Sequence, residues 1–158
     1  MIPATEDYIK RHEGLRLDAY DDATGKPILP GQKIEGTLTV GWGHTGSDVF
    51  AGQTITVDIA ERMFQHDLTS ALRGAIAALG PEPWLKLDSV RRCVLADMCF
   101  ELGEYGLSAF HKLLAAMRGG DWEAAAAEMK ASKYYEQVPK RAEQNRLMML
   151  SGEMACGA

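Results

Sequence analysis

Residues 13–44 read EGLRLDAYDDATGKPILPGQKIEGTLTVGWGH, and the rest of the chain is arranged around how this stretch folds. It opens on a glutamate followed by a glycine. LRLDAY then alternates, with Leu15, Leu17 and Ala19 on one face and Arg16, Asp18 and Tyr20 on the other, the period of a half-buried strand. Asp21 to Gly25 is turn chemistry. Pro27, Pro30 and Gly31 break the next segment into short pieces, and LTV closes a small sheet. In that last strand the two-residue period sets Thr37 and Thr39 on one face and Leu38 and Val40 on the other. GWGHTG reads as turn and loop.

Upstream, residues 4–12 form a short helix, with Thr5 as its cap and Glu6 and Asp7 near its positive end. Downstream, the period changes at Thr56. Ala60, Phe64, Leu68, Ala71, Leu72, Ala75 and Leu79 recur every three or four residues, which predicts a long helix stopped by Gly80-Pro81. Asp88-Ser89 caps the next helix. Val90, Val94, Leu95, Met98, Cys99 and Leu102 make it apolar nearly all round, as a buried central helix ending at Gly103. Further helices are expected over about 106–118, after the Asp121 cap, and from Pro139 to about Leu150, with a break at Ser132. The fold class is α+β in a single 1–158 domain. Its parts are a small lobe over 1–55, a bridging helix over 56–80, a helical lobe over 81–152 and a loose tail over 153–158.

A chain of 158 residues suffices for one well-filled core, and 46% apolar with 25% charged residues is the balance of a soluble protein. The net charge of −5 argues against nucleic acid or an anionic membrane as partner. The start, MIPATEDYIK, lacks the apolar run of a signal peptide, and no stretch is long and apolar enough to span a bilayer. Cys93 and Cys99 lie on one expected helix, about 9 Å apart along its axis. A disulfide requires Cα atoms within about 7 Å, so this pair cannot bridge, and with Cys156 the three thiols point to a reducing compartment. No Cys or His pair has ligand spacing, so no metal and no other cofactor is expected.

An acid, a second carboxylate and a hydroxyl within one compact unit are the groups needed to cleave a glycosidic bond with water. Glu13, at a helix end, is the candidate acid. Asp22, next to Asp21 in the first turn, is the candidate second carboxylate, and Thr37 and Thr39 compete for the hydroxyl. Each also has an ordinary structural use, since Glu before Gly ends many helices and Asp-Asp-x-Thr-Gly makes turns. Spacing alone leaves the choice open. His44, set between glycine turns, has the context of a structural histidine more than of a base. Trp42, Trp84 and Trp122 read as packing.

EGLRLDAYDD followed by TVGWGH resembles the T-even phage lysozyme family (glycoside hydrolase family 24). The likeness continues through AERMFQHDL, LDSVRRCVLADMCFELGEYG and WEAAAAEMKASKYYEQVPKRAEQNRLMMLSGE, so it covers nearly the whole chain. It implies that the family's catalytic acid falls on Glu13, its aspartate on Asp22 and its threonine on Thr39, leaving Asp21 and Thr37 as bystanders. Residues 26–36 are longer than in the type member and look like a lengthened β-hairpin. His44 is implied to pair structurally with Asp67. Arg141 matches the arginine that pairs with the catalytic glutamate, and Phe100 matches a substrate contact. Glu101, Leu113 and Glu128 fall where the type member has polar contacts, which implies altered substrate binding.

The activity implied is a lysozyme that hydrolyses, with inversion, the β-1,4 bond between N-acetylmuramic acid and N-acetylglucosamine. Glu13 would protonate the leaving oxygen, while Asp22 and Thr39 hold the water that Asp22 deprotonates. The implied partner is bacterial peptidoglycan, with no nucleic acid, no stable membrane association and a monomeric state. The setting is an endolysin made in the bacterial cytoplasm and released to the wall through a holin-type pore. Alternatives are a secreted antibacterial effector, a tail-associated lysozyme, or an inactive peptidoglycan-binding module. The joint presence of Glu13, Asp22, Thr39 and Arg141 weighs against the last.

Overall fold

A computed structural model describes residues 3–155 of the chain, the side chain of Pro3 aside. Cys156 and part of the expected tail lie outside these residues, as do the first two residues of the chain. Two compact units emerge, one formed by Glu6–Thr69 and the other by Ser70 onward together with the start of the chain.

The first unit carries most of helix α1, Pro3–Glu13. Pro3 opens this helix, where its missing N–H is no loss, so Thr5 lies inside the helix and is not its cap. Lys10, Arg11 and His12 occupy the last turn, where the helix dipole favours cations. Gly14 then takes φ 68° and donates its N–H to the Lys10 carbonyl at 3.1 Å. That left-handed turn ends the helix and leaves Glu13 as its last residue.

Four antiparallel strands follow: β1 (Arg16–Asp21), β2 (Lys26–Pro27), β3 (Leu38–Gly41) and β4 (His44–Thr45), in the order β2-β1-β3-β4. Two features differ from the sequence reading. His44 and Thr45 are not loop but pair with Val40 and Thr39. Residues 26–36 are not a lengthened hairpin either. Only Lys26 and Pro27 pair with β1, and the chain then passes as an irregular loop to β3 on the other side of β1. Ile28 anchors that loop: it is 7% exposed, donates to the Ala19 carbonyl (3.1 Å) and accepts from Gly52 N–H (2.7 Å). Beneath the sheet, Ala19, Val40, Val49, Ile55 and Ala60 form a core, flanked by Leu17, Trp42 and Met63.

Helix α2 runs Val57–Leu79, close to the expected span. Within the first unit, the Lys10 ammonium sits 4.6 Å from the ring centroids of both Trp42 and Phe64 and bonds Glu61 at 2.7 Å. Such a desolvated cation–π contact contributes roughly 1–2 kcal/mol, and here it ties α1 to α2.

The second unit is helical. After α3 (Pro81–Lys86) comes α4 (Ser89–Ser108), whose Asp88 cap accepts from Arg91 N–H at 2.8 Å. Removing such a cap typically costs about 0.5–2 kcal/mol. The expected stop at Gly103 is instead a kink: φ is 72° there, and the helix resumes to Ser108. Four shorter helices complete the unit: α5 (His111–Gly119), α6 (Trp122–Lys130), α7 (Lys133–Gln137) and α8 (Pro139–Ser151). Arginines tie helix ends to their neighbours. Arg91 donates to the carbonyls of Met149 and Leu150 while stacking 4.1 Å from the Trp122 ring, and Arg118 donates to those of Ala78 and Leu79. These bonds satisfy terminal carbonyls that would otherwise lack partners.

Candidate active site

Of the two adjacent aspartates, Asp21 ends β1 and is 1% exposed. Its Oδ1 accepts from Ala23 and Gly36 N–H at 3.0 Å, and its Oδ2 accepts from Glu35 N–H at 2.6 Å. The bond from Glu35 leads in holding this carboxyl below its ordinary range, with further help from Ala23, Gly36 and Thr24 against the opposing effect of burial. Asp21 is therefore the pin around which the irregular loop rounds the end of β1.

Asp22, by contrast, is exposed. Its N–H donates to the Thr37 carbonyl at 3.1 Å, and its Oδ1 accepts from Thr37 N–H at 2.6 Å. Thr39 is 4% exposed, pairs with Tyr20 across β1 and β3, and donates its hydroxyl to the same Thr37 carbonyl at 3.2 Å. The backbone of Thr37 thus holds both residues. A β-carbon on Gly36 would lie 2.1 Å from Asp22 Oδ1 and 2.8 Å from Ala23 N, so only glycine leaves this carboxylate its position.

Glu13 is half-buried at the end of α1, against the turn between β3 and β4. A β-carbon on Gly43 would stand 2.7 Å from Glu13 Oε2, and Gly43 itself has φ 79°. The turn is glycine for two reasons, conformation and space.

Tyr20 was missed by the sequence reading. Burial leads in raising its phenol above the ordinary value; Arg16, stacked 4.0 Å from the ring, opposes this, and the charges of Glu13 and Asp22 add to it. Both carboxylates therefore act on one phenol. The available signal was its place two residues before Asp22 on the strand face opposite Leu17 and Ala19.

His44 has the expected partner: Nδ1 lies 2.7 Å from Asp67 Oδ2. A second carboxylate was not foreseen, since Nε2 lies 3.2 Å from both oxygens of Asp48. Burial alone would lower the imidazole's pKa, but the two aspartates outweigh it and the value is raised.

The remaining sequence-derived residues belong to the helical unit. Phe100 is half-buried on α4, and the Glu101 side chain there is 30% exposed. Leu113 is 1% exposed and Glu128 half-buried; with Leu102, Phe110, Tyr134 and Gln137 they line a groove of about 670 Å³. Leu113 can offer such a groove only an apolar floor. Arg141 is 6% exposed and bonds Asp97 and Glu101. Among the described residues, no group of three or more His, Cys, Asp or Glu side chains could hold a metal ion, and no helix is long and apolar enough to cross a membrane.

A mixed fold with a small antiparallel sheet and, among the described residues, eight helices, carrying this acid-rich turn, is that of the T4-type lysozymes. Residues 10–146 match the phage lysozyme family, and the chain belongs to it. It is 28% identical to the pre-baseplate central spike protein Gp5 of Enterobacteria phage T4, over 92% of this chain and 27% of that protein. It is 32% identical to an endolysin of Bacillus phage B103, over 92% of this chain and 52% of that protein. A probable T4-type lysozyme 2 of Dictyostelium discoideum is 26% identical over 89% of this chain and 90% of its own length. The chain therefore spans about a quarter of the spike protein and about half of the Bacillus phage endolysin.

Proposed function

We propose that this protein is a muramidase that hydrolyses the β-1,4 bond between N-acetylmuramic acid and N-acetylglucosamine in peptidoglycan, with inversion at the sugar carbon. The observation that carries this reading is the tie of Asp22 and Thr39 to one residue, Thr37, in the unit that also holds Glu13 against Gly43. Glu13 gives its proton to the leaving oxygen. Thr39 donates its own hydroxyl proton to the Thr37 carbonyl, so toward water it acts as an acceptor. Asp22 commits Oδ1 to Thr37 N–H, and Oδ2 takes the proton from the attacking water. Phe100, Glu101, Leu113, Glu128 and Arg141 bind the glycan.

The test is hydrolysis of purified sacculi by wild type beside Glu13→Gln, with products identified by mass spectrometry and the first-formed anomer by NMR. Wild type is expected to release muropeptides ending in reducing N-acetylmuramic acid as the α-anomer. Glu13→Gln is expected to lose about 10²–10⁴-fold in rate, the usual contribution of a general acid. Initial formation of the β-anomer would refute inversion, and an active Glu13→Gln would refute the acid's identity.

The endolysin relatives support a lytic role; with it we propose synthesis in the host cytoplasm, holin-type release and action on the wall as a monomer. A second reading, a lysozyme carried on the phage particle, is favoured by the likeness to a spike protein. Mass spectrometry of purified particles separates them, because only the second has the chain in the virion.

A further inference from the structure

The centre of α4 carries one acidic residue in an apolar run, Asp97, flanked in sequence and space by Val94, Leu95, Ala96 and Met98. Asp97 and these four neighbours are all 0% exposed. Its Oδ1 accepts from Arg141 Nη2 at 2.8 Å, and its Oδ2 accepts from Arg141 Nε at 3.0 Å and from Asn145 Nδ2. Asn145, also 0% exposed, donates in turn to the Tyr134 hydroxyl at 2.8 Å. Arg141 Nη1 reaches Glu101 Oε2 at 2.6 Å.

A buried, bidentate arginine–carboxylate pair adds little net stability over apolar packing of the same volume, because desolvation of both ions offsets their attraction. What the pair does supply is geometry. An arginine has several rotatable bonds, and a guanidinium gripped along its Nε–Nη2 edge has one orientation. Asp97 is itself gripped from below by Asn145, and Asn145 by Tyr134, so α4, α7 and α8 each contribute a part. The residue at the outer end of this chain is the arginine proposed above to bind glycan.

We infer that Asp97 is a positioning residue for Arg141: a buried carboxylate that fixes the guanidinium in the orientation in which it meets a polar oxygen of the substrate. This rests on the reading of Arg141 as substrate-binding. Asp97 touches no substrate, and its effect is transmitted wholly through Arg141.

The experiment is a double-mutant cycle of Asp97→Asn and Arg141→Gln, read as KM and kcat on purified sacculi or soluble glycan strands. Circular dichroism and thermal melts report folding. Asp97→Asn is expected to lose about 10- to 100-fold in kcat/KM, the scale for a positioning error of about 1 Å, with most of the loss in KM. In the Arg141→Gln background, the same change is expected to do little more. Losses that simply multiply, or an Asp97→Asn variant within twofold of wild type while Arg141→Gln is impaired, would overturn the inference. An Arg141→Gln variant within twofold of wild type would instead refute the substrate-binding reading beneath it. Should Asp97→Asn fail to fold, the exchange Asp97→Asn with Asn145→Asp keeps the charge count and moves the carboxylate to the other side of one hydrogen bond. It is expected to fold and still show the raised KM, and full activity would overturn the inference.

Discussion

Asp22 and Thr39 are held by one residue: Thr37 donates its N–H to Asp22 Oδ1 at 2.6 Å and accepts the Thr39 hydroxyl on its carbonyl at 3.2 Å. The Thr37 side chain has no part in this. Thr37→Ala is therefore expected to keep activity within a few-fold, whereas Asp22→Asn and Thr39→Ala lose about 10²-fold or more. Thr37→Pro, which lacks the N–H, is expected to fall with them. Muropeptide release by the four variants checks this, and a severe Thr37→Ala would show that the wrong threonine has been chosen.

Asp21 behaves differently from its neighbour. Replacing it by Asn sets an amide where three backbone N–H groups converge, so Asp21→Asn is expected to lower thermal stability and to affect activity through folding. Because its folded pKa is depressed, its contribution is present above the unfolded value of about 3.9 and is lost as pH falls through the folded one. Melting temperatures at pH 7 and in the acid range check the sign. Wild type is expected to fall more steeply below about pH 4 than Asp21→Asn.

The glycines give a separate test of which residues share the site. Gly36→Ala is expected to displace the Asp22 carboxylate, because the new methyl would lie 2.1 Å from Oδ1. Gly43→Ala meets Glu13 Oε2 at 2.7 Å and adds a strained backbone at φ 79°. Both should lose most of their activity. Gly31→Ala is the control: φ is 85°, but nothing stands within 4 Å, so it loses about 1–2 kcal/mol of stability and no catalysis. Equal activity losses in all three would show that general loosening of the unit is the cause.

Much of this is legible in the sequence, and most of what is not depends on partners distant in the chain. The apolar period found α2 almost to the residue, and Asp88, Asp121 and Pro139 marked helix starts that the structure has. Helix α3 was missed because PEPWLK holds two prolines, which read as breakers although a first turn tolerates them. Residues 26–36 read as a lengthened hairpin because the path of this loop is set by Asp21, up to 15 residues away in sequence. Strand β4 is two residues long and exists only through its partner. The Asp97–Arg141–Asn145 network spans separations of 44 and 48 residues. Its one local signal is an aspartate inside VLADMCF, a run whose other residues make the helix apolar nearly all round.

His44 sits between two carboxylates, and this makes stability depend on pH in a definite direction. Its folded pKa is raised above the unfolded value of about 6.5. The stabilisation is thus fully present below that value and is lost as pH rises through the folded one. The melting temperature is expected to decline from pH 6 to pH 9, and His44→Asn is expected to flatten that slope. Asp48→Asn should remove part of it, since Asp48 shares in raising the imidazole. A wild-type slope unchanged in His44→Asn would assign it to another group.

The charge distribution bears on how the proposed muramidase would meet an anionic wall. Net charge is −5, so any steering toward peptidoglycan must come from local basic surface, of which the helical unit carries the larger share. The fold reduces that surface. Arg91 and Arg141 are buried against Asp88 and Asp97, and Arg146 pairs with Glu143, whose carboxyl is held down at about 2. Lys86, Lys112, Lys130, Lys133 and Lys140 remain exposed, as do Arg73 and Arg118. A few local charges interleaved with acids decay with distance faster than a net charge does. Hydrolysis of sacculi is therefore expected to change by no more than a few-fold between about 20 and 200 mM salt, although the screening length shrinks about threefold. A steep fall that vanishes in a Lys112→Gln, Lys133→Gln variant would show that the local patch governs encounter and that net charge does not.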